Sequence, residues 1–132
     1  ENSATTHEAY DRLVELLQRQ PNLSVRSSTS VLQQAYSTPI PIAYLTSVLG
    51  GINADKTVYE PTAGNGALLI GANPENVIAN ELNPDRYGEL QTRGFRQLTQ
   101  ADALTYEPNT QVDVVICNPP FGVVKDEQRH TR

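Results

Sequence analysis

The sequence predicts an α/β fold in which short parallel strands alternate with helices. Strand-like segments occur at residues 57–60, 77–81, 95–99 and 112–117, and the stretches between them carry glycine turns and helix caps. The third strand is polar, as expected at a sheet edge. Strands that alternate with helices favour parallel pairing through right-handed crossovers. The carboxyl ends of such strands share one edge of the sheet, where ligands bind.

Composition excludes several classes of protein. A chain of 132 residues suits one domain, and its net charge of −5 gives no overall attraction for phosphate backbones. Contact with nucleic acid must then be local or come from another segment. The one cysteine, Cys117, excludes a disulfide framework and a cysteine-rich zinc site, and we predict no metal centre. The absence of a long apolar run or signal peptide favours a cytoplasmic protein.

Residues 1–30 are predicted to form an N-terminal helix and a linker. Thr5 and Glu8 have the spacing of a capping box, and Pro21 ends the helix after Arg19. Its apolar side comprises Tyr10, Leu13, Leu16 and Leu17. Residues 31–122 are predicted to form the core and residues 123–132 a polar tail.

A second helix is predicted after Thr38 and Pro39, because proline is tolerated at the start of a helix. Its apolar stripe comprises Ile42, Leu45, Val48 and Leu49, and Gly50 and Gly51 end it. Thr38 is interpreted first as the N-cap of this helix, with a ligand-binding role as the alternative.

The first three strands end in candidate ligand-binding residues. The first runs into Glu60 and Pro61 and a turn with Gly64 and Gly66, after which a helix is predicted over residues 67–72. Such a turn is either a cofactor loop or a plain tight turn. Glu81 ends the second strand, where a carboxylate either binds ribose hydroxyls or is simply solvated. Asn83 is predicted to cap a third helix that extends to about residue 93, with Gly94 as its C-cap. Asp102, after the third strand, either accepts a hydrogen bond from an exocyclic amine or caps a turn.

The fourth strand ends in the most informative motif of the chain. Val114, Val115 and Ile116 form a β-branched apolar run that stops at Asn118, Pro119, Pro120 and Phe121. Two prolines cannot continue a β-ladder, so they form a rigid corner. An amide, a carbonyl and an aromatic face at this corner are suited to grip a planar amine.

Taken in order, these motifs resemble those of class I methyltransferases that use S-adenosylmethionine, specifically the adenine-N6 DNA methyltransferases. The Asn-Pro-Pro-Phe corner resembles their catalytic motif, and the segment from Glu60 to Gly66 resembles their cofactor loop. Thr38 and Pro39 resemble a Thr-Pro segment placed over the methionine part of the cofactor. The chain also resembles the methylase portion of phage and plasmid methylase–helicase fusions. The resemblance covers residues 34–122 and implies a truncated Rossmann-like sheet with strand order 3-2-1-4.

The resemblance implies a role for each motif. Glu60, with Pro61, Gly64 and Gly66, would hold the amino-acid end of S-adenosylmethionine. Glu81 would bind its ribose, and Asp102 and Ala103 its adenine. Asn118, Pro119, Pro120 and Phe121 would form the catalytic corner, and Asn118 would also contact the cofactor. Asn118 and the Pro119 carbonyl would accept hydrogen bonds from the target amine, and Phe121 would stack on the flipped base. Two acceptors outside the ring plane favour a pyramidal nitrogen whose lone pair faces the methyl group.

The same resemblance implies that the chain is a fragment. DNA would be bound through a recognition region absent from these residues, as in restriction-modification enzymes. Strand 112–117 would become an open edge, so self-association through it is expected. Two alternatives remain: a protein glutamine or an RNA guanine as the methyl acceptor, and a non-catalytic fragment that binds the cofactor.

Overall fold

A computed structural model describes residues 3–20 and 37–120 of the chain. The elements are helix α1 (Ser3–Arg19), helix α2 (Ile40–Leu49), strand β1 (Val58–Glu60), strand β2 (Val77–Asn80), helix α3 (Pro84–Leu90), strand β3 (Gln97–Thr99) and strand β4 (Val114–Val115). Short 3-10 turns occupy Ala67–Leu69, Pro74–Asn76 and Gln91–Arg93. No helix among these described residues is long and apolar enough to cross a membrane. Residues 21–36, which include the end of the predicted linker, and residues 121–132, which include Phe121 and the predicted polar tail, lie outside the described residues.

The four strands form one parallel sheet in the order β3-β2-β1-β4, which confirms the predicted fold class and strand order. In register, Val58 pairs with Val77 on one side and with Val114 on the other. β1 and β2 are therefore central, and every residue in both strands is buried. Their carboxyl ends, at Glu60 and Asn80, lie at the same edge of the sheet.

The core lies on the sheet face that carries Val58, Val77 and Ala79. The turn Ala67–Leu69 packs on β1, and helix α2 packs on this turn. The Ser47 hydroxyl of α2 donates to the Ile70 carbonyl just after the turn. The opposite face of the sheet carries Ile78 and, in register with it, Gln97. The Gln97 side chain donates to the Tyr106 hydroxyl, so Tyr106 lies on that face.

Three details of the predicted helices are wrong. The helix α1 begins at Ser3, so Thr5 lies inside it and forms no capping box, and Leu16 and Leu17 are exposed. In α2, Ile42 and Leu49 face solvent, while Ala43 and Ser47 are buried, because close packing on the turn below requires small side chains. The predicted helix over residues 67–72 is a single 3-10 turn, since Ile70 is already extended and Gly71 has a positive φ.

The third predicted helix starts as expected and ends early. The Asn83 side chain accepts from the backbone N–H groups of Asp85 and Arg86, which confirms it as the N-cap. The α-helical part stops at Leu90 and a 3-10 turn continues to Arg93 before Gly94 in the left-handed conformation. Leu90, the last α-helical residue, lies in the core at 1% exposure.

Strand β4 is the edge of the described sheet on the side of β1. The N–H groups of Val114 and Ile116 bond β1, so the N–H and C=O of Val115 point to the open side. The Val115 side chain is 61% exposed. Asp113 secures the start of this strand, because its carboxylate accepts from the N–H and the hydroxyl of Thr57 and these bonds lower the pKa of Asp113.

Self-association through this edge stays a prediction. We expect Val115→Lys to shift the chain toward the monomer, because a lysine on an edge strand opposes pairing with another strand. Light scattering over a concentration series measures this shift. Leu49→Lys, at a helix position that is 87% exposed, is the matched control. A parent chain that is monomeric at every concentration contradicts the prediction.

Candidate functional site

A cavity of about 320 Å³ opens at the carboxyl ends of the strands. Its walls come from the segment before α2 and from the segments that follow each of the four strands. Most of the site residues predicted from the sequence line it: Thr38, Glu60, Pro61, Gly64, Glu81, Asp102, Ala103, Asn118, Pro119 and Pro120. Residues from distant parts of the sequence therefore meet in one cleft.

Two predicted site residues lie elsewhere. Pro39 occupies the N-cap position of α2, so the interpretation of Thr38 as that N-cap is wrong. Gly66, with φ +77°, lines a second cavity, and a Cβ placed on it would lie 3.3 Å from the Leu90 side chain. Gly66 therefore lets the turn pack closely on α3. Among the described residues, no group of histidine, cysteine, aspartate and glutamate side chains could hold a metal ion.

Glu60 is a buried carboxylate with one oxygen unsatisfied. The side chain is 1% exposed, and its Oε1 accepts from the N–H and the hydroxyl of Thr62 at 2.9 and 3.1 Å. Its Oε2 is buried and has no hydrogen-bond partner among the described residues. The pKa of Glu60 is raised to about 7, because burial and, to a smaller extent, nearby Glu81 outweigh the lowering effect of the Thr62 bonds. Such a group favours a positively charged ligand, because a cation would offset the desolvation of the carboxylate.

Glu81 connects the glycine turn to the start of α3. Its Oε2 accepts from the Gly64 N–H at 2.6 Å, and its Oε1 accepts from the Asn83 N–H at 2.7 Å. The side chain is 8% exposed, so it is not the solvated carboxylate considered from the sequence. Each carboxylate oxygen has a second lone pair, so these bonds are compatible with hydroxyl ligands.

Asp102 has the turn-capping role that the sequence left open. Its Oδ1 accepts from the Leu104 N–H at 2.9 Å, and its carbonyl accepts from Thr105 and Tyr106. The side chain is exposed at the cavity wall, beside Leu104, which is 93% exposed. Contact with an exocyclic amine stays a prediction.

Asn118 and Thr38 are joined across 80 positions of the sequence. The Asn118 Nδ2 donates to the Thr38 hydroxyl oxygen at 3.0 Å. Because this bond engages the amide nitrogen, it fixes the plane of the amide and leaves Oδ1 as its acceptor end. Partial desolvation and the charge of Glu60 raise the pKa of the Cys117 thiol, although the residue as a whole is exposed.

Asn80 is a site residue that the sequence interpretation missed. Its Nδ2 donates to the carbonyls of Pro61 and Ala101 at 3.0 and 2.8 Å, and its Oδ1 accepts from the Thr99 hydroxyl and the Ala101 N–H. With 1% exposure, this one amide joins the segments that follow β1 and β3 to the end of β2. The available signal was a polar residue that ends an otherwise apolar buried strand.

Comparison with known proteins supports a methyltransferase. No protein family and no curated protein matches this sequence. The structure is similar to the crystal structure of a protein from Pyrococcus horikoshii described as a putative RNA methyltransferase, with a TM-score of 0.61 and 28% sequence identity. The chain has the Rossmann-like fold of a methyltransferase. The match covers 87% of this chain and 61% of that chain, so this chain spans less than two thirds of its neighbour. The likeness supports methyl transfer in general, and with it the use of S-adenosylmethionine.

The Glu60 carboxyl should make stability depend on pH. Between about pH 4.5 and 7 it is protonated in the folded chain and ionised in the unfolded chain, so rising pH lowers the free energy of unfolding. The resulting loss in the free energy of unfolding is at most about 3 kcal/mol and is complete above pH 7. Urea unfolding from pH 5 to 8 measures this effect. The free energy of unfolding of the parent, minus that of Glu60→Gln, should fall as pH rises.

The control for this measurement is Glu75→Gln, which removes an exposed carboxylate from a 3-10 turn. Its pH profile should follow that of the parent chain. If the parent and Glu60→Gln show the same dependence of stability on pH, ionisation of Glu60 does not destabilise the folded chain.

Removal of the Asn80 amide should loosen the cavity wall. We expect Asn80→Ala to lower the free energy of unfolding by about 2–4 kcal/mol, because several buried polar groups lose their partner at once. Hydrogen exchange at the Ala101 amide should accelerate. Asn76→Ala, which removes one exposed bond to the Ala54 carbonyl, should cost about 1 kcal/mol or less. Similar losses in the two variants would contradict the assigned role of Asn80.

Proposed function

We propose that this chain carries the catalytic site of an S-adenosylmethionine-dependent methyltransferase that acts on the N6 amino group of adenine in DNA. The observation that carries the proposal is the cavity that Thr38, Glu60, Glu81, Asp102 and Asn118 line together. These are the residues that the resemblance assigns to the methyl donor and the acceptor. The activity of the whole protein and its binding to DNA are likewise proposed.

The described residues fit the cofactor. The Glu60 Oε2, buried and without a partner among the described residues, suits the α-ammonium group of the methionine part. The cavity volume of about 320 Å³ falls within the usual range for sites that bind small molecules. Glu81 would bind the ribose hydroxyls while its bonds to Gly64 and Asn83 hold the carboxylate in place. Asp102 and Ala103 would border the adenine.

The residues after β4 supply the chemistry of the acceptor. An aromatic amine is a weak nucleophile, because its lone pair is delocalised into the ring. Asn118 Oδ1 and the Pro119 carbonyl would accept its two hydrogens and favour a pyramidal nitrogen, and Thr38 would keep the Asn118 amide in the required orientation. S-adenosylmethionine, when bound, supplies a methyl group activated by a sulfonium. Phe121 would stack on the base.

A general base is not required, since the proton can leave the nitrogen after methyl transfer. None of the described residues that line the cavity is a histidine. Charge stabilisation and orientation would then provide the rate enhancement.

Guanine N2 in RNA is the second candidate acceptor. The similarity to a protein described as a putative RNA methyltransferase favours it, and it presents a conjugated amine to the same Asn-Pro-Pro corner. The Thr-Pro segment ahead of β1, with Thr38 bonded to Asn118, favours DNA adenine. Nucleoside analysis after incubation with radiolabelled S-adenosylmethionine distinguishes N6-methyldeoxyadenosine from N2-methylguanosine.

Asn118→Ala should separate binding from chemistry. We expect methyl transfer to fall by about 10²–10³-fold, because one of two acceptors for the amine is lost. Calorimetry should show S-adenosylmethionine affinity within about twofold of the parent, since Glu60 and Glu81 remain. Asn109→Ala, in an exposed connection, is the matched control and should retain both properties. Full transfer activity in Asn118→Ala would refute the assigned chemistry, and absence of cofactor binding in the parent would refute the function.

A further inference from the structure

The cavity is dominated by negative side chains. Glu60, Glu81 and Asp102 contribute carboxylates to its walls. Among the described residues that line it, Arg86 has the one positively charged side chain. Arg86 lies in α3 and is half-buried, so its charge is less screened than that of a fully exposed arginine. A cation at this position should favour a ligand that carries a negatively charged group.

The Arg86 guanidinium lies between two segments of the cavity wall. Its Nη2 is 3.4 Å from the Ser37 hydroxyl, in the segment before α2. Its Nη1 is 3.1 Å from the point that a Cβ on Gly64 would occupy. The guanidinium therefore sits over the turn that begins at Glu60. The missing side chain at Gly64 leaves the space that it fills.

We propose that Arg86 binds the α-carboxylate of the amino-acid part of the cofactor. This rests on the proposed function and identifies the part of the ligand that Arg86 recognises. The ammonium and the carboxylate are attached to the same carbon atom, and Glu60 and Arg86 offer opposite charges along the same turn. The pair thereby selects a zwitterionic amino acid.

The chemistry of arginine suits this role. A guanidinium presents its N–H donors in a planar fork whose geometry matches the two oxygens of a carboxylate. Without that positive charge, a carboxylate that entered the cavity would face the carboxylates of Glu60 and Glu81. Arg86 would thus determine specificity for ligands that keep the carboxylate.

The test compares two ligands that differ in that group alone, S-adenosylmethionine and its decarboxylated form. We expect the parent chain to prefer S-adenosylmethionine by about ten- to hundredfold in calorimetry, the effect of a charge-assisted hydrogen-bonded pair. Arg86→Gln should lose this preference while it binds the decarboxylated ligand as the parent does. Arg86→Lys should keep part of it, because a lysine retains the charge without the fork.

Arg93→Gln is the matched control, since it removes the same charge from an exposed position outside this cavity, and it should keep the parent's preference. Equal loss of both ligands in Arg86→Gln, or an unchanged preference, overturns the proposal. If circular dichroism shows that Arg86→Gln is unfolded, Arg86→Met, which keeps the apolar stem, decides by the same criterion. A parent chain that binds neither ligand refutes the proposed function itself.

Discussion

The candidate site depends on the hydrogen bonds that the buried Asn80 amide makes at the end of β2. Parallel strands bring their carboxyl ends to one edge, but three short strands do not by themselves fix the segments that follow them. The Asn80 side chain bonds Pro61, in the segment after β1, and Thr99 and Ala101, at the end of β3 and just after it. Because the amide is buried and all its groups are satisfied, displacement of any one segment would leave polar atoms unpaired. The cleft is therefore built into the fold.

The same edge of the sheet carries a carboxylate whose ionised form is unfavourable. Glu60 is buried at the end of a central strand, and one of its oxygens lacks a partner among the described residues. An apolar residue at this position would serve the stability of the sheet better. A strained carboxylate that faces a cleft is typical of a binding site, where a ligand supplies the missing partner. Glu60 and Arg86 together give the turn after β1 one negative and one positive group, the pattern that an amino acid would match.

Part of this organisation could be predicted from the sequence. The N-cap at Asn83 and the convergence of the strand ends follow from local motifs and from the geometry of parallel sheets. The strand order was predicted through the family resemblance. The orientation of α2 could not be predicted from its large apolar residues, because the face that packs closely uses Ala43 and Ser47. The role of Asn80 and the position of Arg86 depend on distances between segments far apart in the chain. Periodicity and spacing do not contain those distances.

Hydrogen–deuterium exchange with and without S-adenosylhomocysteine, the product form of the donor, tests the central claim most directly. If the four strand ends form one cofactor site, the ligand should slow exchange together in residues 60–68, 80–86, 100–105 and 116–118. Exchange in α1, which lies outside the cavity wall, should not change. Protection limited to a single segment, or no protection at saturating ligand, would contradict a shared site for the methyl donor.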